Sequence, residues 1–281
     1  VHYRKIGWAV ANTVLADGGR NVLVAMRSGD FFGGHQQEDQ NSFVINCRGK
    51  KFAIDSGYYD YYGSPHFNEY STRTIAHNTL LVNGLNQDSR KADANCRLTR
   101  FFDGVTGSYF AGDGSNPAMY DGLLKFWERR LVFLKPDLVI VHDFVRAADK
   151  PVKLNWLLHT VEDIECSGNR FKLKNSGFGG TVFYAGKLTL GVRKGYPVQP
   201  TDRNNQPLPS VVEEWTLEAA TDPVASASLL ALLAMKEAST TTSAVDGGEA
   251  MQIRTDRERY SILSRRPGVD TPLTSSDITF D

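Results

Sequence analysis

Only three of the 281 residues are cysteine, namely Cys47, Cys96 and Cys166. They are widely spaced, odd in number and contain no Cys-x-x-Cys pair, which argues against a disulfide framework or a structural zinc knuckle. At most one bridge could form, so the compartment stays open. Long hydrophobic runs are also lacking. Leu229 to Met235 is among the longest, far short of the roughly 20 residues a membrane-spanning helix needs, and no membrane span is expected. Neither sign of charge is in excess, with 32 Lys and Arg against 32 Asp and Glu. That gives no push toward nucleic acid or an anionic membrane, and a polyanionic ligand would have to be met by a local basic patch. The first residues, Val1-His2-Tyr3-Arg4-Lys5, lack the apolar stretch and cleavage site of a signal peptide and read like the interior of a longer protein. Helical periodicity is scarce, and one short helix is predicted near residues 3 to 15.

What the chain does have is short alternating segments rich in β-branched and aromatic residues, such as Asn21 to Met26, Asn41 to Cys47, Lys51 to Ile54, Leu138 to His142, Val152 to His159 and Ser228 to Met235. Turn-forming residues separate them, among them Asp17-Gly18-Gly19, Arg48-Gly49-Lys50, Asn83-Gly84 and Lys135-Pro136-Asp137. Many short strands with almost no helix predict an all-β fold, a large antiparallel β-sandwich. A single domain over residues 1–281 is expected, with room for a small C-terminal sheet. The Thr/Ser/Ala/Gly-rich stretch Ala238 to Gly248 is expected to be a loop.

Polar residues suited to chemistry concentrate between Gly33 and Gln87. His35-Gln36-Gln37-Glu38-Asp39-Gln40-Asn41-Ser42-Phe43 feeds a polar block into an apolar strand, Phe52-Ala53-Ile54-Asp55-Ser56-Gly57 brings a carboxylate to a strand end, and Tyr70-Ser71-Thr72-Arg73-Thr74-Ile75-Ala76-His77-Asn78-Thr79 precedes another strand. If these strands are neighbours, His35, Asp55 and His77 converge on one edge. His35 sits in a glycine-rich polar loop with no apolar face to serve, which suits a cleft. Asp55 and His77 fit three readings, first a satisfied hydrogen-bonded pair, then metal ligands, and last direct catalysis. Tyr58, Tyr59, Tyr61 and Tyr62 could stack on sugar rings, although alternate members of such a run usually pack inward. Tyr59, Tyr62 and Asn78 are the candidate sugar contacts. His142 and His159 lie in apolar strands and read as core residues, and Asp39 and Asn41 read as turn-capping residues.

Together, His35-x-Gln37-x-Asp39-Gln40-Asn41-Ser42-Phe43, Ile54-Asp55-Ser56-Gly57 and Tyr70-x-x-Arg73-x-x-x-His77-Asn78-Thr79 resemble the ordered motifs of the heparinase II/III-like polysaccharide lyases. The resemblance continues through Arg129-Arg130 to Asp143 and Trp156-Leu157-Leu158-His159. It covers roughly residues 7 to 160, and the remainder matches only as a generic β pattern. It implies a helical toroid ahead of the sandwich, not expected within this chain, with an acidic polysaccharide or oligosaccharide, a glycosaminoglycan or alginate, lying in the cleft between them. The implied reaction is β-elimination at a uronic acid, in a secreted or periplasmic bacterial protein. The toroid would neutralise the uronate carboxylate and contribute a tyrosine. From the sandwich, the resemblance implies His35 at the cleft and Tyr70 as an acid/base, at the position of a catalytic tyrosine in related alginate lyases. Arg73 is the cation that could lower the Tyr70 pKa. The family's structural zinc ligands map onto Gln37, Asp55 and His77. Gln37 departs from the pattern, because an amide oxygen is a far poorer zinc ligand than imidazole. The expectation for the site is a structural divalent cation, zinc or a harder one such as calcium, or no metal at all.

The competing reading is a non-catalytic carbohydrate-binding or structural module in which the polar block only orders the sandwich. A cupin-like metal oxygenase is disfavoured, because His35-Gln36-Gln37 lacks a His-x-His spacing.

Overall fold

The computed structural model describes residues 1–30, 35–88, 94–209 and 211–236 with their side chains, and the backbone of further strands between 238 and 280. Every strand pair is antiparallel. A five-stranded sheet runs in the order β1 (His2–Tyr3), β2 (Trp8–Asn12), β3 (Val22–Arg27), β4 (Phe43–Cys47), β5 (Lys50–Ala53). A four-stranded sheet is ordered β15 (Leu188–Lys194), β16 (Trp215–Thr221), β11 (Leu154–Thr160), β6 (Leu80–Val82). The two meet where Ile54 N donates to His159 O at 3.0 Å. An eight-stranded sheet shares their core and is ordered β12 (Ile164–Ser167), β13 (Arg170–Leu173), β14 (Gly179–Phe183), β17 (Ser226–Ala234), β10 (Leu138–Ala147), β9 (Leu124–Leu134), β8 (Gly107–Asp113), β7 (Arg97–Asp103). The predicted β-sandwich is thus the observed architecture. A separate four-stranded sheet, β18 (Ala238–Val245), β19 (Gly248–Thr255), β20 (Arg259–Arg265) and β21 (Ile278–Phe280), follows near the C-terminus.

One core joins the three larger sheets: Val24, Phe43 and Ile45 from the five-stranded sheet, Trp127, Phe133 and Val141 from the eight-stranded one, Trp156 and Leu158 from β11. Each such side chain contributes about 1.5–3 kcal/mol by leaving water. Strand β10 is buried at every position except Arg146. Val139 and Val141 point into the main core, while Leu138 and Ile140 join a second cluster with Leu230 and Leu232. With both faces covered, its Leu-Val-Ile-Val run needs no polar alternation.

Two expectations are corrected, and one strand lies where none was expected. Residues 3 to 15 form β1, a turn and β2 rather than a helix; Ala9 and Ala11 are buried between half-exposed neighbours, a period of two that the helix-favouring alanines mask. Ala238–Val245 is a strand, β18, not a loop, paired along its length with β19; its β-branched threonines outweigh a loop-like composition. Strand β7 was not anticipated because it is a largely exposed edge strand without apolar alternation. The described helical segments are one-turn pieces at Phe67–Ser71, Thr74–Ala76 and Pro117–Tyr120. The three cysteines are free, with Cys47 and Cys96 buried and Cys166 exposed.

Candidate active site

A buried arginine sets the geometry of this edge. Arg129 on β9 stands directly opposite Asp143 on β10 and grips it with two parallel hydrogen bonds, Nε to Oδ1 at 2.8 Å and Nη2 to Oδ2 at 2.7 Å. Its remaining terminal nitrogen, Nη1, donates to the carbonyls of Asn41 and Asn78, both at 2.7 Å. Asn78 repeats the device on a smaller scale. Its amide nitrogen donates to Phe43 O (2.7 Å) and Ile54 O (2.8 Å), and its amide oxygen accepts from His159 N (2.7 Å). The chain entering β4, the chain leaving β5 and the chain entering β6 are therefore tied to one another and to β11. The side chain of Asn41 lies so close to β8 that a Cβ on Gly112 would fall 2.1 Å from its Oδ1, so glycine is required there. Asn78, expected as a sugar contact, is corrected on this evidence: it is wholly buried, and its amide is consumed in holding strand ends.

This knitting brings Asp55, one residue after Ile54, against His77, one residue before Asn78. His77 Nδ1 lies 3.1 Å from Asp55 Oδ1; the imidazole is fully buried and the carboxylate side chain is 42% exposed. Burial pushes the His77 pKa down, but the hydrogen bond to Asp55 and the charges of Asp55 and Asp39 outweigh it, and the net direction is upward. For Asp55 burial pushes upward, but the bond to His77, the charges of His77 and His159 and the bond to Ser42 together outweigh it, leaving its pKa lowered. Behind the pair, Asp39 is ion-paired with Arg27, and burial raises its pKa despite that partner.

The donor set does not fit zinc. His77 keeps Nε2 buried and without a hydrogen-bond partner, but Gln37 offers only an amide and is half-buried with a partner of its own, and among the described residues no group of three or more His, Cys, Asp or Glu side chains is gathered for a metal. Calcium fits no better, since it takes six to eight oxygens. Exposure to a chelator is expected to leave the unfolding midpoint of the chain unchanged, checked by thermal denaturation with and without it; a clear drop would restore the metal reading.

His159 closes the back of the site. It is wholly buried, with Nε2 2.9 Å from Ile75 O, and burial, followed by the charges of His77 and Arg193, drives its pKa down to about 3. A histidine neutral in the fold but protonated near pH 6.5 when unfolded makes the unfolded state the greater proton binder between those values. Stability is therefore expected to fall as pH drops from about 6.5 toward 3, by about 1.4 kcal/mol per pKa unit. His77, whose pKa is raised, acts in the opposite sense. Its contribution is fully present below about 6.5 and is lost as pH rises through its folded value. Urea unfolding against pH should show a shallower acid limb in His159→Gln than in wild type, and identical limbs would contradict this assignment.

Tyr70 and Arg73 are placed differently from what the motif implied. The Tyr70 ring is 1% exposed and packs edge-on against Tyr196 and beside His66. Ser56 Oγ lies 2.7 Å from the Tyr70 hydroxyl and donates its single proton to Glu214 Oε2 at 2.6 Å, so the tyrosine must donate to the serine. Burial raises the Tyr70 pKa, against the lowering that activation requires. Arg73 turns instead to Glu38, 2.6 Å away. The groups that cover Tyr70 went unanticipated. Glu214 and Tyr196 lie more than a hundred residues downstream with no local motif, whereas His66, buried with Nε2 accepting from Tyr58 N at 3.1 Å, could have been suspected from its place between the tyrosine run and Tyr70.

The exposed part of the edge is His35 with its aromatic neighbours. His35 is solvent-exposed with a left-handed backbone, φ +67°, and its ring centroid lies 6.1 Å from that of Tyr62. Tyr62 is 70% and Tyr59 71% exposed, and both lean on Phe67, at 5.1 and 6.5 Å. The surface combines an imidazole with flat ring faces, suited to meeting sugar C–H faces and moving a proton at the same place.

An antiparallel sandwich whose strand ends carry this polar edge is the class of domain the coordinates define. Solved structures of the same fold include a heparinase III, at a TM-score of 0.74 and 15% identity over 95% of this chain and 42% of that one. Another is the heparan sulfate lyase HepC from Pedobacter heparinus, at a TM-score of 0.71 and 14% identity over 94% and 42%. The chain thus spans less than half the length of these proteins, and at such identities the likeness speaks for the fold. No match is found among proteins of curated function. The family described as "Heparinase II/III-like, C-terminal" matches residues 1–258. The chain belongs to that family.

Proposed function

We propose that this chain is the sandwich part of a lyase that cleaves a uronic-acid-containing polysaccharide, of the glycosaminoglycan class, by β-elimination. In that reaction the C5 proton of the uronate is removed, the C4–O bond breaks with protonation of the departing oxygen, and a C4=C5 double bond remains. The observation that carries the reading is the exposed His35 beside Tyr62 and Tyr59, on the same edge that Arg129 and Asn78 hold together. In our reading His35 moves the proton at C5 or at the leaving oxygen, and Tyr59 and Tyr62 carry the sugar rings. Tyr70 and Arg73 support this surface from within rather than touching substrate. His77 and Asp55 brace the edge without a metal.

Among the described residues nothing on this edge is placed to neutralise the uronate carboxylate, which must lose its charge influence before C5 becomes acidic. That group belongs in our reading to a helical toroid of the same protein. Positioned proton transfer contributes about 100- to 10,000-fold, while enzymes usually exceed a millionfold. The 281-residue chain alone is therefore expected to be inactive or nearly so on heparin, heparan sulfate and alginate, and a longer protein carrying the toroid to be active. Ultraviolet absorbance of the conjugated product is the readout. Robust elimination by the isolated chain would overturn the two-part site, and silence of the longer protein on every uronate would favour a carbohydrate-binding or structural module.

A further inference from the structure

A second candidate site lies away from the His35 surface, in a groove of about 700 Å³ between the N-terminal turn and the edge strand β7. Its cations come from two separate elements. On β7 the register runs Arg97↔Asp113, Leu98↔Gly112, Arg100↔Ala111, with a bulge between Leu98 and Arg100. Residues three apart on a regular strand face opposite ways. The extra residue, Thr99, returns Arg100 to the face of Arg97, and Phe102 continues that row opposite Tyr109. Across the groove, Arg4 and Lys5 ride on the turn between β1 and β2. That turn is pinned by Ser28 N donating to Gly7 O at 2.7 Å and by glycine-to-glycine contact, since a Cβ on Gly29 would fall 2.8 Å from Gly7 Cα.

Four cations thus line one groove in a chain with no net charge, where Asp30 is the one carboxylate among the described lining residues. Arg4, Lys5, Arg97 and Arg100 are all exposed, and among the described residues none of them is ion-paired. A cleft lined by one sign of charge concentrates the field and the counter-ion it attracts. On the arginine face Phe102 is 62% exposed, and on the other face of β7 His2 stacks on Phe101 at 5.0 Å. Charge alone would suit any polyanion, but the ring faces add a surface for a sugar. Asp30 is five residues from His35, so the groove wall lies within roughly 17 Å of that residue.

We propose that this groove is a binding site for an acidic oligosaccharide, holding carboxylate or sulfate groups of the same chain whose scissile bond lies at His35. The proposal deepens the lyase reading and rests on it for the identity of the ligand, but its first test needs no catalysis. Calorimetry on the 281-residue chain should show binding of a heparin dodecasaccharide. Affinity should fall about tenfold or more in Arg97→Glu/Arg100→Glu, the equivalent of about 1.4 kcal/mol. A second variant on the other wall, Arg4→Ser/Lys5→Ser, should weaken binding in the same direction without touching a strand. Circular dichroism and melting confirm that each variant folds. Affinity within twofold of wild type in both variants would overturn the site, and so would equal binding and equal loss with oligo(dT), which would show a general polyanion surface. In the longer protein, Arg97→Glu/Arg100→Glu should raise KM on polymer while leaving kcat and turnover of a tetrasaccharide near wild type. If no uronate is eliminated at all, the lyase reading fails while the calorimetric result still decides the groove.

Discussion

Replacing Arg129 with methionine is expected to cost about 3–5 kcal/mol, the range for breaking one side of a buried ion pair, out of the 5–15 kcal/mol that typically holds a domain together. The reason lies in what the substitution strands. Asp143, 0% exposed, would keep one donor, Trp127 Nε1 at 2.9 Å, and the carbonyls of Asn41 and Asn78 would lose the guanidinium that joins them. Lysine should not rescue the loss, since a single ammonium cannot grip a carboxylate in parallel and reach two carbonyls on the other side. Urea denaturation of the purified variants, or failure to obtain them soluble, is the check. A midpoint unchanged in Arg129→Met would show that the strand ends are held by something else.

In the proposed longer protein with a helical toroid, His35→Ala is expected to lower turnover by two to four orders of magnitude, the usual worth of a positioned acid/base, while Tyr70→Phe leaves it within severalfold of wild type. The contrast follows from exposure. His35 faces solvent beside Tyr62, whereas the Tyr70 hydroxyl is enclosed and commits its proton to Ser56, which passes its own to Glu214. Loss of that hydroxyl should register as stability rather than chemistry, through a lower melting temperature. Steady-state kinetics followed by ultraviolet absorbance separates the two, and a collapse of turnover in Tyr70→Phe with the fold intact would return Tyr70 to the reacting centre.

The β-sandwich was legible because alternation and turn residues mark strands by local chemistry, as at Val22–Arg27 and Leu154–Thr160. The meeting of Asp55 with His77 was legible because each lies at a strand end beside residues of the same motif set. What local reading could not supply was enclosure. The polarity of Asn78 suggested a ligand, yet its partners are backbone groups at Phe43, Ile54 and His159. Tyr70 kept its place in the motif but is covered by Tyr196 and reached by Glu214 through Ser56, residues whose approach depends on the whole sheet order. Arg73 was paired in expectation with Tyr70 three residues away and in fact meets Glu38, thirty-five residues earlier. The basic groove was invisible for a related reason: its cations are dispersed between residues 4 and 100, and a bulge decides which way two of them face.

The proposed reaction class is tested most directly by incubating the proposed longer protein with heparan sulfate and weighing the products. Elimination divides the chain without adding anything, so the two fragments together weigh what the substrate weighed, and the new non-reducing end absorbs in the ultraviolet. Fragments that together carry the mass of one extra water, with no new absorbance, would mean hydrolysis and would contradict the account.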